Sequence, residues 1–122
     1  MTRDVFRQFL IHLLACSPLS DSSTRFTLLC DNARIHKGDI SDTVFQAGHS
    51  LQYLAAWSPE LNPIEYAFSK WKLAYRALFP DTEEAVDEAI KSSASSLTSQ
   101  DCLHYLQHTQ SLYAKAVNME DL

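Results

Sequence analysis

The apolar run Phe26-Thr27-Leu28-Leu29-Cys30 stops abruptly at Asp31-Asn32, and this break constrains the fold more than any other feature of the chain. A run this short, bounded by polar residues, predicts a strand over 26–30 buried on both faces. A helical pattern over 40–47 with Val44 and Phe45 follows, then Gly48 at a position suited to positive φ, then a second short strand over 50–54. Strand, helix and strand in that order make a crossover, the connection that parallel strands require. Asp31 then sits at the carboxyl end of a parallel strand, where functional groups of open α/β sheets gather. A second reading stays open, because Asp and Asn at a strand end also fold their side chains onto their own backbone in turns.

The other informative segment is Trp57-Ser58-Pro59-Glu60-Leu61-Asn62-Pro63-Ile64-Glu65. Asn62 is suited to cap a helix and Pro63 to its first position, which puts Glu65 third in the helix. There Glu65 is either a capping-box carboxylate or, if strand end and helix start lie side by side, a partner of Asp31 around one cation. On the helix that follows, Ile64, Phe68, Trp71, Tyr75 and Leu78 form the expected apolar stripe, and Glu65, Ser69, Lys72 and Arg76 a polar ridge. Lys72 and Arg76 are candidates for phosphate contacts; the alternative is a solvated face with ion pairs along the helix.

Taken together, Asp-Asn-Ala-Arg-Ile-His at 31–36 and Ser-Pro-Glu-Leu-Asn-Pro-Ile-Glu at 58–65 resemble the second and third acidic signatures of the DDE transposases of the Tc1/mariner/IS630 group. The resemblance covers residues 2–79. It implies an α/β, ribonuclease H-like fold in partial form: helix, strand, helix, strand, then three helices, without the first strands of the sheet. It also implies three carboxylates, two Mg²⁺ or Mn²⁺ ions, and cutting and joining of DNA strands.

By matching position Asp31 is the second acid and Glu65 the third, both catalytic and metal-binding, with Asn32, His36 and Asn62 in support. His36 either orients the neighbouring carboxylate or is a surface loop residue. The first acid has no counterpart, since Asp4 falls in a helical pattern. The expectation is a transposase catalytic-domain fragment that is inactive alone. The alternatives are a subunit completed by another polypeptide and a repurposed protein-interaction module. Two departures from the family pattern stand in the matched region: Ala55-Ala56 where prolines are usual and Phe68 where tryptophan is common.

Of the 122 residues 46% are hydrophobic and 20% charged, which fits one domain over 1–122, with a core at 1–79 and a helical extension at 80–122. The first helix is expected over 3–15, with Thr2 as its cap, Ser17-Pro18 as its stop and a polar loop over 20–24 after it. Its apolar stretch is too short to span a bilayer, and three scattered cysteines, Cys16, Cys30 and Cys102, fit a reducing compartment. These features predict an intracellular protein without a membrane partner, nuclear if its host is eukaryotic. A net charge of −5 predicts weak DNA binding by this piece alone. The exposed strand edge invites self-association or pairing with the absent N-terminal part.

After Pro80 the pattern predicts a helix capped by Asp81 or Thr82 with the stripe Val86, Ala89, Ile90 and Leu97. A last helix follows, carrying Leu103, Leu106, Tyr113, Ala116 and Val117. Cys102, His104 and His108 are either a zinc set or ordinary surface residues, with no fourth ligand in the spacing.

Overall fold

The computed structural model describes residues 1–21 and 23–120, so Ser22 of the polar loop lies outside the described residues. Its contacts fall into two units, Met1–Ser58 and Pro59–Leu122. The first is mixed α/β around a two-stranded parallel sheet, and the second is helical.

In the first unit helix α1 spans Arg3–Leu14, and Thr2 caps it by accepting the Val5 N–H at 3.3 Å. Strand β1 (Thr27–Cys30), helix α2 (Ile40–Gln46) and strand β2 (Ser50–Tyr53) form the crossover. The strands run parallel, with Thr27 opposite Ser50 and Cys30 opposite Tyr53. Helix α2 ends in a Schellman turn: Gly48, at φ 90°, donates to Phe45, and His49 donates to Val44. Leu10 and Leu14 of α1 meet Ile40 and Val44 of α2 in a core closed by Phe6, Leu28 and Leu51. Ile40 and Val44 are wholly buried, each contributing about 1.5–3 kcal/mol of hydrophobic stabilisation.

Burial of β1 differs from the expectation for its apolar run. Leu28 faces the helices, but Leu29 is exposed, so only one face of this strand is covered within the unit. An apolar run reports the capacity for two-sided burial; the covering layer has to come from elsewhere.

His49 escaped notice in the sequence and turns out to be the most buried polar residue of this unit, at 2% exposure. Its Nδ1 accepts the Phe26 N–H at 3.1 Å, and its Nε2 lies 2.7 Å from the Leu19 carbonyl. With Nδ1 accepting, Nε2 carries the proton and donates to Leu19, which fixes a neutral tautomer. The ring thereby ties the start of β1 to the loop after α1.

In the second unit a 3₁₀ turn over Pro59–Leu61 leads into α3 (Pro63–Ala77), followed by α4 (Glu83–Ala94) and α5 (Ser99–Val117). Helix α3 packs on both α4 and α5. Thr82 caps α4, and Thr98 with Asp101 makes a reciprocal capping box on α5. Asp101 also receives Lys70 of α3 at 2.5 Å. The Lys70 contact, the largest cause, and the Thr98 N–H together hold the Asp101 carboxyl at about 2. Lys70 in turn is raised by the same hydrogen bond.

The helix stripes need correction. On α3 the half-buried face is Tyr66, Ala67, Lys70, Trp71, Ala74 and Tyr75, while Ile64, Phe68 and Leu78 of the expected stripe are exposed. On α4 Ala89 and Ser93 are buried and Ile90 is exposed; on α5 the buried residues are Thr109 and Leu112, with Leu103, Leu106 and Val117 exposed. Small and hydrogen-bonding residues let the three helices approach. Ser93 takes the Trp71 indole N–H at 2.8 Å, and Thr109 bonds back to its own helix at Tyr105 and Leu106. Among the described residues no helix is long and apolar enough to cross a membrane.

Candidate functional site

The two acidic segments lie in different units, Asp31 in the first and Glu65 in the second. Asp31 follows directly on the last residue of β1. Its Oδ1 accepts the Ala33 N–H at 3.0 Å, the side-chain turn weighed from sequence, and lies 2.7 Å from His36 Nδ1. That second contact is one of proximity, since His36 Nδ1 has no hydrogen-bond partner of acceptable geometry. The carboxylate itself remains 56% exposed. A turn role and an accessible anion therefore coexist in one residue.

His36 belongs to a 3₁₀ turn over Arg34–His36 and is held from two sides. Its ring lies 4.3 Å from that of Phe6 on α1, and its carbonyl accepts the Tyr53 hydroxyl. This packing keeps the imidazole largely buried beside Asp31. Asn32 serves the backbone: its amide donates to the Leu54 carbonyl and so continues the β1–β2 ladder past the last strand residue. Its Oδ1 accepts from Lys37 Nζ at 2.5 Å, and the same ammonium sits 3.6 Å from the centre of the Tyr53 ring. Lys37 carries no functional motif in the sequence. Its one clue is its place immediately after His36.

Cys30 shares this strand end. Burial, then the Asp31 charge, push its thiol up, while Lys37 pulls the other way. Tyr53 is raised by burial and by Cys30. Both groups remain protonated at neutral pH, so neither adds charge to this strand end.

Around Glu65 the local chemistry follows the sequence expectation in part. Asn62 is buried and caps α3, its side chain accepting from the Ile64 N–H at 3.4 Å, with Pro63 first and Glu65 third in the helix. A capping box would need the Asn62 N–H for Glu65. That N–H is donated to the Pro59 carbonyl instead, at 3.0 Å, which leaves the exposed Glu65 carboxylate outside that role. Two tyrosines clamp the turn that sets this geometry: Tyr66 donates to the Glu60 carbonyl at 2.9 Å and Tyr113 to the Leu61 carbonyl at 2.6 Å. Neither clamp has a local signal, since Tyr113 acts from the far end of α5.

Lys72 and Arg76 are exposed, and neither takes part in a salt bridge among the described residues. His104 contacts Gln100 and His108 meets the Tyr66 ring edge-on, the behaviour of ordinary helix-surface histidines.

Asp31 and Glu65 are accessible carboxylates, the hard oxygen donors that Mg²⁺ and Mn²⁺ take, so the donor chemistry fits such ions. The donor count is small: among the described residues no group of three or more His, Cys, Asp or Glu is gathered that could hold a metal ion. A sequence model described as DDE superfamily endonuclease matches residues 1–87. No curated protein and no solved structure matches the chain.

Proposed function

The chain belongs to the DDE superfamily endonuclease family, and on that premise we propose that it is part of a transposase catalytic domain of the Tc1/mariner/IS630 kind. Its fold in this reading is a portion of a ribonuclease H-like domain over 1–122. Asp31 is the second catalytic acid and Glu65 the third, each a ligand for Mg²⁺ or Mn²⁺. The observation that carries the reading is the family match over 1–87, because that span includes both acidic signatures.

The bound ions would stabilise the attacking and leaving oxygens of a phosphodiester. The chain's own residues prepare for that. Asp31 presents an accessible carboxylate whose orientation is limited by the Ala33 N–H and the packed His36 ring. Asn32 holds the strand end in register, and Asn62 starts the helix that carries Glu65. Lys72 and Arg76 meet DNA phosphates along the same helix. DNA is the substrate, and the protein works inside the cell, in the nucleus of a eukaryotic host. The open strand edge pairs with the rest of the domain or with a second copy.

Two carboxylates are a poor cage for two ions, so this chain alone does not cut DNA. Calorimetric titration with Mn²⁺ tests the assignment: weak binding is expected, reduced by Asp31→Asn and by Glu65→Gln. Unchanged binding in both variants would refute it. Mg²⁺- or Mn²⁺-dependent nicking of supercoiled DNA that vanishes in Asp31→Ala would overturn the inactivity while keeping the acid.

A further inference from the structure

Where α3 packs on α4 a groove opens at the surface. Phe68, Trp71, Lys72, Tyr75 and Ile90 line a volume of about 410 Å³, within the range of small-ligand sites. Phe68 and Ile90 are exposed at its surface, at 38% and 42%. The rings of Phe68 and Trp71 stand 6.1 Å apart at 39°. Trp71 is pinned by its indole N–H to the buried Ser93, so the polar edge of the ring is already satisfied and its orientation is set in advance. Lys72 lines the groove, and Arg76 follows one turn later on the same helix.

Resting on the DNA reading above, we propose that this groove takes an unpaired base of single-stranded DNA, stacked among Phe68, Trp71 and Tyr75, with Lys72 and Arg76 on the flanking phosphates. Aromatic walls accept any base because each has a π-face, and a nucleotide brings its own anion to the cationic edge. An aliphatic anchor from a protein partner would instead desolvate Lys72 without a counter-charge. The chain's net charge of −5 weakens long-range attraction to the backbone, so stacking carries most of the binding. Glu65 lies one turn before Phe68 on α3, so a base held here sits on the helix that carries the third acid.

The chain has two tryptophans, so Trp57→Phe leaves Trp71 as the only one, and its emission reports the groove directly. A short oligothymidylate at low salt is expected to quench it. Phe68→Leu, which keeps apolar volume without a ring, is expected to weaken that binding by at least about fivefold. The slope of log affinity against log salt is expected near about −1.4 for two phosphate contacts and about −0.7 in Lys72→Ala. Equal binding of an abasic strand of the same length would overturn the proposal. So would a concentration-dependent blue shift of Trp71 without DNA, which would mark a second copy of the chain in the groove. The Mn²⁺ response of Asp31 and Glu65 in the same samples separates the two ideas. No quenching with a normal metal response overturns the groove alone, and quenching without a metal response overturns only the catalytic assignment.

Discussion

Replacing His49 with alanine removes the peg that joins the start of β1 to the loop after α1. The imidazole is almost fully buried and satisfies both the Phe26 N–H and the Leu19 carbonyl. Each of those groups, left without a partner, costs about 1–3 kcal/mol, and the lost ring adds a cavity. Phe26 and Leu19 are only partly buried and recover some hydration, so the expected loss is about 3 kcal/mol. Native-state hydrogen exchange reads this at the amides of Ser50 and Leu54, which bond to Phe26 and Cys30 across the sheet. Their protection should fall by roughly a hundredfold, at tenfold per 1.4 kcal/mol. His49→Asn places an oxygen near Nδ1 and His49→Gln an amide near Nε2, so each should recover part of the loss. Protection within about twofold of the parent chain in His49→Ala would refute the role given to this residue.

Asp101 makes stability acid-sensitive with a defined sign. Its carboxyl is held at about 2 against an ordinary 3.8, so its contribution is complete above the ordinary value and is lost as pH falls through about 2. Urea midpoints should drop over that interval, and Asp101→Asn should flatten the drop while lowering the midpoint at neutral pH. Tyr113→Phe deletes the hydroxyl bond to Leu61 and should remove about 1 kcal/mol; faster exchange at the Asn62 and Glu65 amides checks it. Cys30 has a raised thiol and is partly buried, whereas Cys16 and Cys102 are exposed. Mass spectrometry after brief alkylation at neutral pH should find those two modified first.

What could be read from the sequence was what local chemistry decides. Thr2, Asn62 and Thr82 cap helices because a short polar side chain reaches an N–H two or three residues on, and Gly48 takes the positive φ that follows a helix. The crossover and its parallel strands follow from element order. What could not be read was partner choice over distance. His49 finds Phe26 and Leu19, Trp71 finds Ser93, and Tyr113 finds Leu61, all through packing that no periodicity encodes. The stripe on α5 differs for the same reason: Leu103, Leu106 and Val117 of the expected stripe are exposed, while Thr109 and Leu112 are buried. At the candidate site the sequence points to Asp31 and Glu65 as candidates but not to Lys37, whose ammonium reaches Asn32 and the Tyr53 ring only once the 3₁₀ turn folds it back.

Carboxyl-selective ¹³C NMR under Mn²⁺ titration addresses the two acids themselves. If both are metal-ligating groups of a DDE site, the side-chain signals of Asp31 and Glu65 broaden together, with one midpoint, ahead of surface carboxylates such as Glu83 and Glu84. If neither broadens before those surface groups, the metal assignment fails, and Asp31 is left as a turn residue and Glu65 as a solvated carboxylate in the first turn of α3.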